Sequence, residues 1–400
     1  MSSRKYNLLM CDSIERFRFM ERLACGLGKS SALVVTGEPL VALKCIRKNI
    51  KFHFISSWGR HKKTESVPRE FYDSIEFLNG AISKKQCDKD ALSSLLTFRY
   101  LFKKYSISCA VIWNGQQLLA RSIAYVAKEN GVKTVFLELS NFNNKLFANH
   151  LGVNANSSIA KNVESLDKLE DVSEQLHLKW VEQYQIDKER PLPQARINRK
   201  NQIESILNRT FKFLLKGNGL RTFSIKELLN KSQKVSDYFL FDDAHLEKPF
   251  AFLPLQVSSD TQLKLHSDFD NCQAIEEAVK VAKAKNLELL VKLHPAEQDQ
   301  SEIKKIIELR EKFNFKVVNE NTVHLIKSAR LVITINSTVG LEALILSKDL
   351  IVLGRALYRE FNQPLLRKYI HGYLVDGVDF FDGSVITNEK AQEILSYANK

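Results

Sequence analysis

Several common nucleotide and catalytic motifs are missing from this 400-residue sequence. It has no GxxxxGK[ST] loop, which excludes a P-loop NTPase. No GxGxxG opens a helix after the first strand, which argues against a nicotinamide or flavin enzyme. Neither a GxSxG elbow nor a DxD pair at a strand end occurs, and the adjacent acids Asp242 and Asp243 read as surface. Cysteine is sparse: the six at 11, 25, 45, 87, 109 and 272 show no CxxC spacing. They therefore read as buried reduced thiols rather than a zinc site or disulfide framework. Gly (15) and Pro (8) are too few for a collagen-like or low-complexity chain. No apolar run approaches the roughly 18 residues of a membrane span. The opening MSSRKYNLLMCDSIERF is too interrupted by charge for a signal peptide, so the chain is expected to be cytosolic.

What is present is positive charge, unevenly placed. The formal net charge is +13. Residues 1–160 hold 24 Lys and Arg against 12 Asp and Glu, and the remainder holds 35 against 34. A basic half joined to a neutral half suggests two domains with different ligands, and the length supports two domains. Basic charge admits nucleic acid, an anionic membrane or an acidic substrate as partner.

In the N-terminal half, short apolar runs at 6–11, 32–36, 52–56, 109–113 and 134–139 alternate with helical patterns at 14–27, 38–48, 88–104 and 116–130. Such alternation implies βαβ units and a parallel sheet. Gly131 is placed to end the last of these helices. The alternation resumes from 236, with strands expected at 250–257, 287–293, 315–318, 331–335 and 349–353, and helices at 271–285, 301–313, 323–329 and 338–346. The expected division is a Rossmann-like domain over 1–160, a helical connector over 161–235 and a second Rossmann-like domain over 236–387. A terminal helix over 388–400 can cross back to the first domain.

In doubly wound sheets, ligands bind at the carboxyl ends of the strands. Four segments there carry the candidate residues. In LVITINSTVGLEAL (331–344), a strand ends in Asn336-Ser337-Thr338 as a helix begins, a place where capping hydroxyls and free N–H groups can hold a phosphate. Gly340 would permit close backbone approach, and Glu342 could accept from ribose hydroxyls; an ordinary capped helix explains the same letters. In LELLVKLHP (287–295), Lys292 and His294 emerge on one face of a strand that Pro295 stops. In LPLQVSSD (253–260), Gln256 precedes Asp260, which alone reads as a turn or helix cap. In TVFLELSNF (134–142), Glu138 lies near the end of an apolar strand, a costly place for an acid unless it is paired or functional. A loop rich in asparagine (141, 143, 144, 154 and 156) follows it.

Taken together, LPLQVSSD, VKLHP and TINSTVGLEAL, supported by ELSNF and GVNANSS, resemble the bacterial capsular-polysaccharide synthesis family and specifically its retaining β-Kdo transferases. The resemblance implies a GT-B-like enzyme of two Rossmann-like doubly wound domains facing across a cleft. It implies CMP-β-Kdo as donor substrate, a glycan or lipid-linked acceptor, no metal or other cofactor, and no nucleic acid. Carried over, Lys292, His294, Ser337 and Thr338 would contact the CMP phosphate, Glu342 the ribose, and Gln256 and Asn336 the donor. Asp260 would be the nucleophile and Glu138 the acid/base of a double displacement. The basic half would then rest against anionic lipid at the inner membrane of a Gram-negative bacterium. Two alternatives stand beside it: another donor, such as CMP-sialic acid or a UDP-sugar, and a non-catalytic nucleic-acid binder.

Overall fold

The computed structural model describes residues 4–56, 66–188, 199–217 and 241–400. It divides into two compact units: Met1–Ser158, Glu182–Thr222 and His371–Lys400 form unit 1, and Ile159–Val181 and Phe223–Ile370 form unit 2. Within the expected connector over 161–235, described residues 161–181 belong to unit 2 and 182–188 and 199–217 to unit 1, while 189–198 and 218–235 lie outside the described residues; residues 371–400 belong to unit 1.

Unit 1 contains strands β1 (Lys5–Cys11), β2 (Ala32–Thr36), β3 (Lys51–Phe54), β4 (Ser106–Trp113), β5 (Lys133–Leu139) and β6 (Lys145–Asn149). Unit 2 supplies β7 (Phe250–Pro254), β8 (Glu288–Lys292), β9 (Lys316–Val317), β10 (Leu331–Thr334) and β11 (Asp349–Val352), and β12 (Val375–Asp376) returns to unit 1. The seven-stranded sheet runs β12-β6-β5-β4-β1-β2-β3. Its β3-β2-β1-β4-β5 portion is parallel, the order of a doubly wound fold, and the antiparallel β6 and β12 extend one edge. The five-stranded sheet runs β11-β10-β7-β8-β9, wholly parallel, which is the same winding repeated. Central strands of such sheets are covered on both faces and so read as continuous apolar runs. Accordingly β2 (ALVVT), β7 (FAFLP) and β10 (LVIT) are buried at every position.

The helices fall between the strands as the alternation implied. Ile14–Leu27 turns Phe17, Met20, Leu23 and Ala24 inward at helical spacing. Leu118–Glu129 ends at Asn130, and Gly131 takes the left-handed backbone (φ 62°) that follows such an end. Three readings of the sequence need correction. The stretch after Glu138 is not one polar loop, because Leu146, Phe147 and Ala148 are buried in β6. Cys25 is exposed on its helix, whereas Cys11, Cys45, Cys87 and Cys109 are buried. Asp242 is not idle surface: it pairs with Arg310 at 2.7 Å and accepts the Val317 N–H of β9 at 2.8 Å. Among the described residues no helix is long and apolar enough to cross a membrane.

Candidate functional site

The order of the five-stranded sheet reverses between β7 and β10, so the chain leaves these two neighbours toward opposite faces and opens a crevice at their carboxyl ends. Gln256 and Asn336 stand there. The Gln256 side-chain oxygen accepts the Asn336 N–H at 3.2 Å, which ties the two strand ends together. The Gln256 backbone is clamped on both sides by Asn271, whose amide oxygen accepts its N–H (3.2 Å) and whose amide nitrogen donates to its carbonyl (2.8 Å). Asn336 in turn donates to the carbonyls of Gln262 (2.9 Å) and His266 (3.2 Å). Both side chains are buried.

Asp260 ends the loop that follows. One carboxylate oxygen caps the helix Thr261–His266 by accepting the Gln262 N–H at 2.9 Å. The other lies 3.4 Å from the Gln256 amide nitrogen, within the same network. A residue that sequence reasoning missed sets this loop: Glu297. Buried after β8, it accepts the Ser258 N–H (2.6 Å) and hydroxyl (3.2 Å), and the N–H groups of Gln298 and Asp299 (both 2.8 Å). The loops after β7 and β8 are therefore fastened to one carboxylate. A glutamate two residues beyond His-Pro gave no sign of this in the sequence.

His294 lies beside these loops. Its Nδ1 accepts the Ala296 N–H at 3.1 Å, so a neutral ring carries its proton on Nε2 as a donor. Partial desolvation lowers its pKa, and Lys292 adds to this; nearby Asp260 and Glu297 oppose them. Lys292 ends β8 and donates to the Glu320 carbonyl, with its own pKa lowered by burial. Of the candidate residues in unit 2, Gln256, Asn336 and Asp260 are joined by direct hydrogen bonds. His294 is close enough to feel Asp260, and Lys292 is drawn toward the loop after β9.

The remaining three lie on the helix Thr338–Ile345. Ser337 is its N-cap, accepting the Val339 N–H at 3.3 Å, and Thr338 is exposed at the first turn. Glu342 lies one turn on, near Tyr358, whose phenol is raised well above its ordinary pKa by burial and then by that carboxylate. The reason for Gly340 differs from the one expected. A Cβ there would meet the Tyr358 hydroxyl oxygen at 2.5 Å, so the close approach is to a ring of the same unit. The Tyr358 hydroxyl donates to the Ser337 carbonyl and braces the cap from behind.

In unit 1 the corresponding reversal lies between β1 and β4. Glu138, on β5, accepts from the Asn114 amide at the end of β4 and from the Leu139 N–H at 2.9 Å. Burial pushes its carboxyl above the ordinary range, while those two donors and the Arg16 guanidinium pull it back. Arg16 pairs with Asp12 beyond β1 and lies over the Trp113 ring. Asn114 and Gly115 both adopt left-handed backbone (φ 61° and 85°), and a Cβ on Gly115 would meet Phe136 at 2.8 Å. Asp12, Arg16 and Asn114 carried no signal in the sequence beyond their position after strands. The asparagines of the following loop serve the backbone: Asn141, Asn144 and Asn154 have φ of 64°, 57° and 53°. An open depression of about 670 Å³ lined by Lys285, Arg330 and Asp349 lies at the amino ends of the unit 2 strands, away from every candidate residue. Among the described residues no three of His, Cys, Asp and Glu gather as a metal ion would require.

Two doubly wound sheets, each with polar residues at its switch point, define a Rossmann-like α/β protein. The family model of capsule polysaccharide biosynthesis proteins matches residues 109–361, and the chain belongs to that family. It is similar to Protein FixF of Sinorhizobium fredii (strain NBRC 101917 / NGR234), with 39% identity over 123 residues. That match spans 30% of this chain and 29% of FixF. Among solved structures it is similar to the Thermosulfurimonas dismutans KpsC β-Kdo 2,7 transferase, with TM-score 0.45, 15% identity and coverage of 99% and 100% of the two chains. For the β-Kdo 2,4 transferase of the same KpsC the values are 0.40, 16%, 76% and 94%. For the Methanocaldococcus jannaschii UDP-GlcNAc 2-epimerase with UDP-GlcNAc and UDP they are 0.30, 12%, 99% and 93%.

Proposed function

We propose that the chain is a retaining glycosyltransferase that moves β-Kdo from CMP-β-Kdo to a glycan or lipid-linked acceptor in surface-polysaccharide synthesis. The observation that carries this reading is the bonded set Gln256, Asp260 and Asn336 at the switch point of unit 2, with His294 beside it, in a capsule-synthesis chain. Unit 2 holds the donor. The His294 Nε2–H and Lys292 meet the phosphate, joined by Ser337, Thr338 and the positive end of the helix they open. Glu342 accepts from the ribose.

In this reading a carboxylate oxygen of Asp260 attacks the anomeric carbon of Kdo. The bond to the phosphate oxygen breaks and CMP leaves with the electron pair, its charge met by His294 and the helix terminus. An acceptor hydroxyl then displaces Asp260 and restores its carboxylate, and Glu138 takes the hydroxyl proton. A carboxyl raised by burial suits that task, because a base works best with a pKa near the working pH. Peripheral contact of the basic unit 1 with anionic lipid at the inner membrane completes the reading.

Incubation with CMP-Kdo and a panel of synthetic acceptors, followed by mass spectrometry, tests it. Transfer is expected, with a glycosyl adduct on Asp260. Glu138→Gln should slow transfer by about 100- to 10,000-fold. Normal turnover by Asp260→Ala would overturn the nucleophile. Thermal stabilisation by UMP rather than CMP would overturn the donor.

A further inference from the structure

The helix Arg199–Leu214 in unit 1 is mounted with its polar side inward. Asn208 is buried, accepts the Leu40 N–H at 3.0 Å and donates to Glu38. Lys212 forms an ion pair with the same buried Glu38. Glu204 is held by Lys44 at 3.1 Å and Arg18 at 3.2 Å. Just past the helix, Gly217 packs so closely on Gly37 that a Cβ would meet its carbonyl oxygen at 2.2 Å. The orientation is thus fixed by polar contacts along the helix and by a backbone contact at its end.

The consequence is that the apolar side faces outward. Ile206, Phe213 and Leu214 are 66%, 62% and 64% exposed, and Leu207, Phe211 and Leu215 are exposed as well. A surface helix of a soluble protein normally does the reverse, burying its apolar stripe. On the helix Pro39–Lys48, against which it packs, Leu43 and Ile46 are also exposed. Large exposed apolar patches mark surfaces that meet a partner.

We propose that this outward face is a docking surface for an anionic lipid membrane. The charge around it chooses the occupant. From Glu204 to Lys216 the segment carries Arg209 and Lys216 besides the inward Lys212, against one acid, and that acid is engaged by Lys44 and Arg18. Exposed Arg47 follows Ile46 on the neighbouring helix, next to Lys48, which is paired with Glu21, and the Lys216 ammonium sits 5.6 Å from the Phe213 ring centre, an arrangement that lets the ring enter the lipid interface while the charge meets a headgroup. Two copies meeting through this face would bring together two strongly basic units, since residues 1–160 alone carry 24 cations against 12 anions. This deepens the membrane contact proposed above by naming its surface, and its test does not depend on transferase activity.

The experiment is co-sedimentation of the full chain with vesicles of phosphatidylethanolamine and phosphatidylglycerol, and with phosphatidylcholine vesicles alone. Binding to the anionic vesicles only is expected, weakening as salt rises. Phe213→Glu with Leu214→Glu, and separately Ile206→Glu, should each lower partitioning by about tenfold or more with an unchanged thermal transition. Failure of the wild type to sediment, or variants that bind as it does, would overturn the proposal. So would light scattering showing a wild-type dimer that the variants split, which assigns the face to a second copy. Loss of the thermal transition in both variants would overturn it too, because the face would then be covered by the chain itself.

Discussion

Asn114 shows how one residue sets the chemistry of another. Its left-handed backbone turns the amide onto Glu138, where it donates to the charged form of a carboxyl that burial pushes the other way. Asn114→Ala removes a donor that favours ionisation, so the Glu138 pKa rises further. The proposed base is active only when ionised, so the acid limb of the kcat/KM profile should move to higher pH. A profile that stays in place, measured alongside an NMR titration of the Glu138 carboxyl, would refute this role. At this scale the sequence was partly legible. Glu138 stood out because an acid in an apolar strand needs a reason. Asp12, Arg16 and Asn114 did not, because their partners are distant in sequence and only the parallel pairing of β1, β4 and β5 brings them together. Asp260 was legible as a cap and is one.

Elements were easier to read than their junctions. Buried parallel strands appear in sequence as unbroken apolar runs, and β2 matches its expected bounds while β1 and β10 differ from theirs by one residue. The short helix Thr261–His266 and strand β6 went unseen, being brief and lacking a full period of either pattern. The loops between elements are held by side chains that no periodicity marks, Glu297 above all. Glu297→Ala strips the acceptor from three backbone N–H groups, each costing about 1–3 kcal/mol if it is left buried and unpaired. A lower melting midpoint and a weakened response to CMP are expected. An unchanged melt would mean that the loops after β7 and β8 are held by other contacts.

At the scale of the molecule, the charge imbalance was plain from composition, but its meaning was not. The basic half lies in a doubly wound unit with an inverted amphipathic helix fixed to its surface, the feature on which the proposed lipid contact rests. The same unit depends on the far end of the chain. β12 pairs with β6, Arg22 donates to the carbonyls of Asp379 (2.8 Å) and Ser384 (2.6 Å), and Ile394 and Tyr397 are buried. A chain ending at Ile370 should therefore lose the melting transition of unit 1 and keep that of unit 2. Calorimetry resolves the two, and an intact first transition would show that unit 1 closes without these residues.

That dependence has a consequence in time. Unit 1 begins with β1 and is completed only by residues after His371. A ribosome adds about 5–20 residues each second, so β1 waits on the order of tens of seconds for β12. All of unit 2 is synthesised within that interval. The sheet that contains β1 is therefore completed at β12 only after unit 2 has been made, and until then β6 is an exposed edge strand.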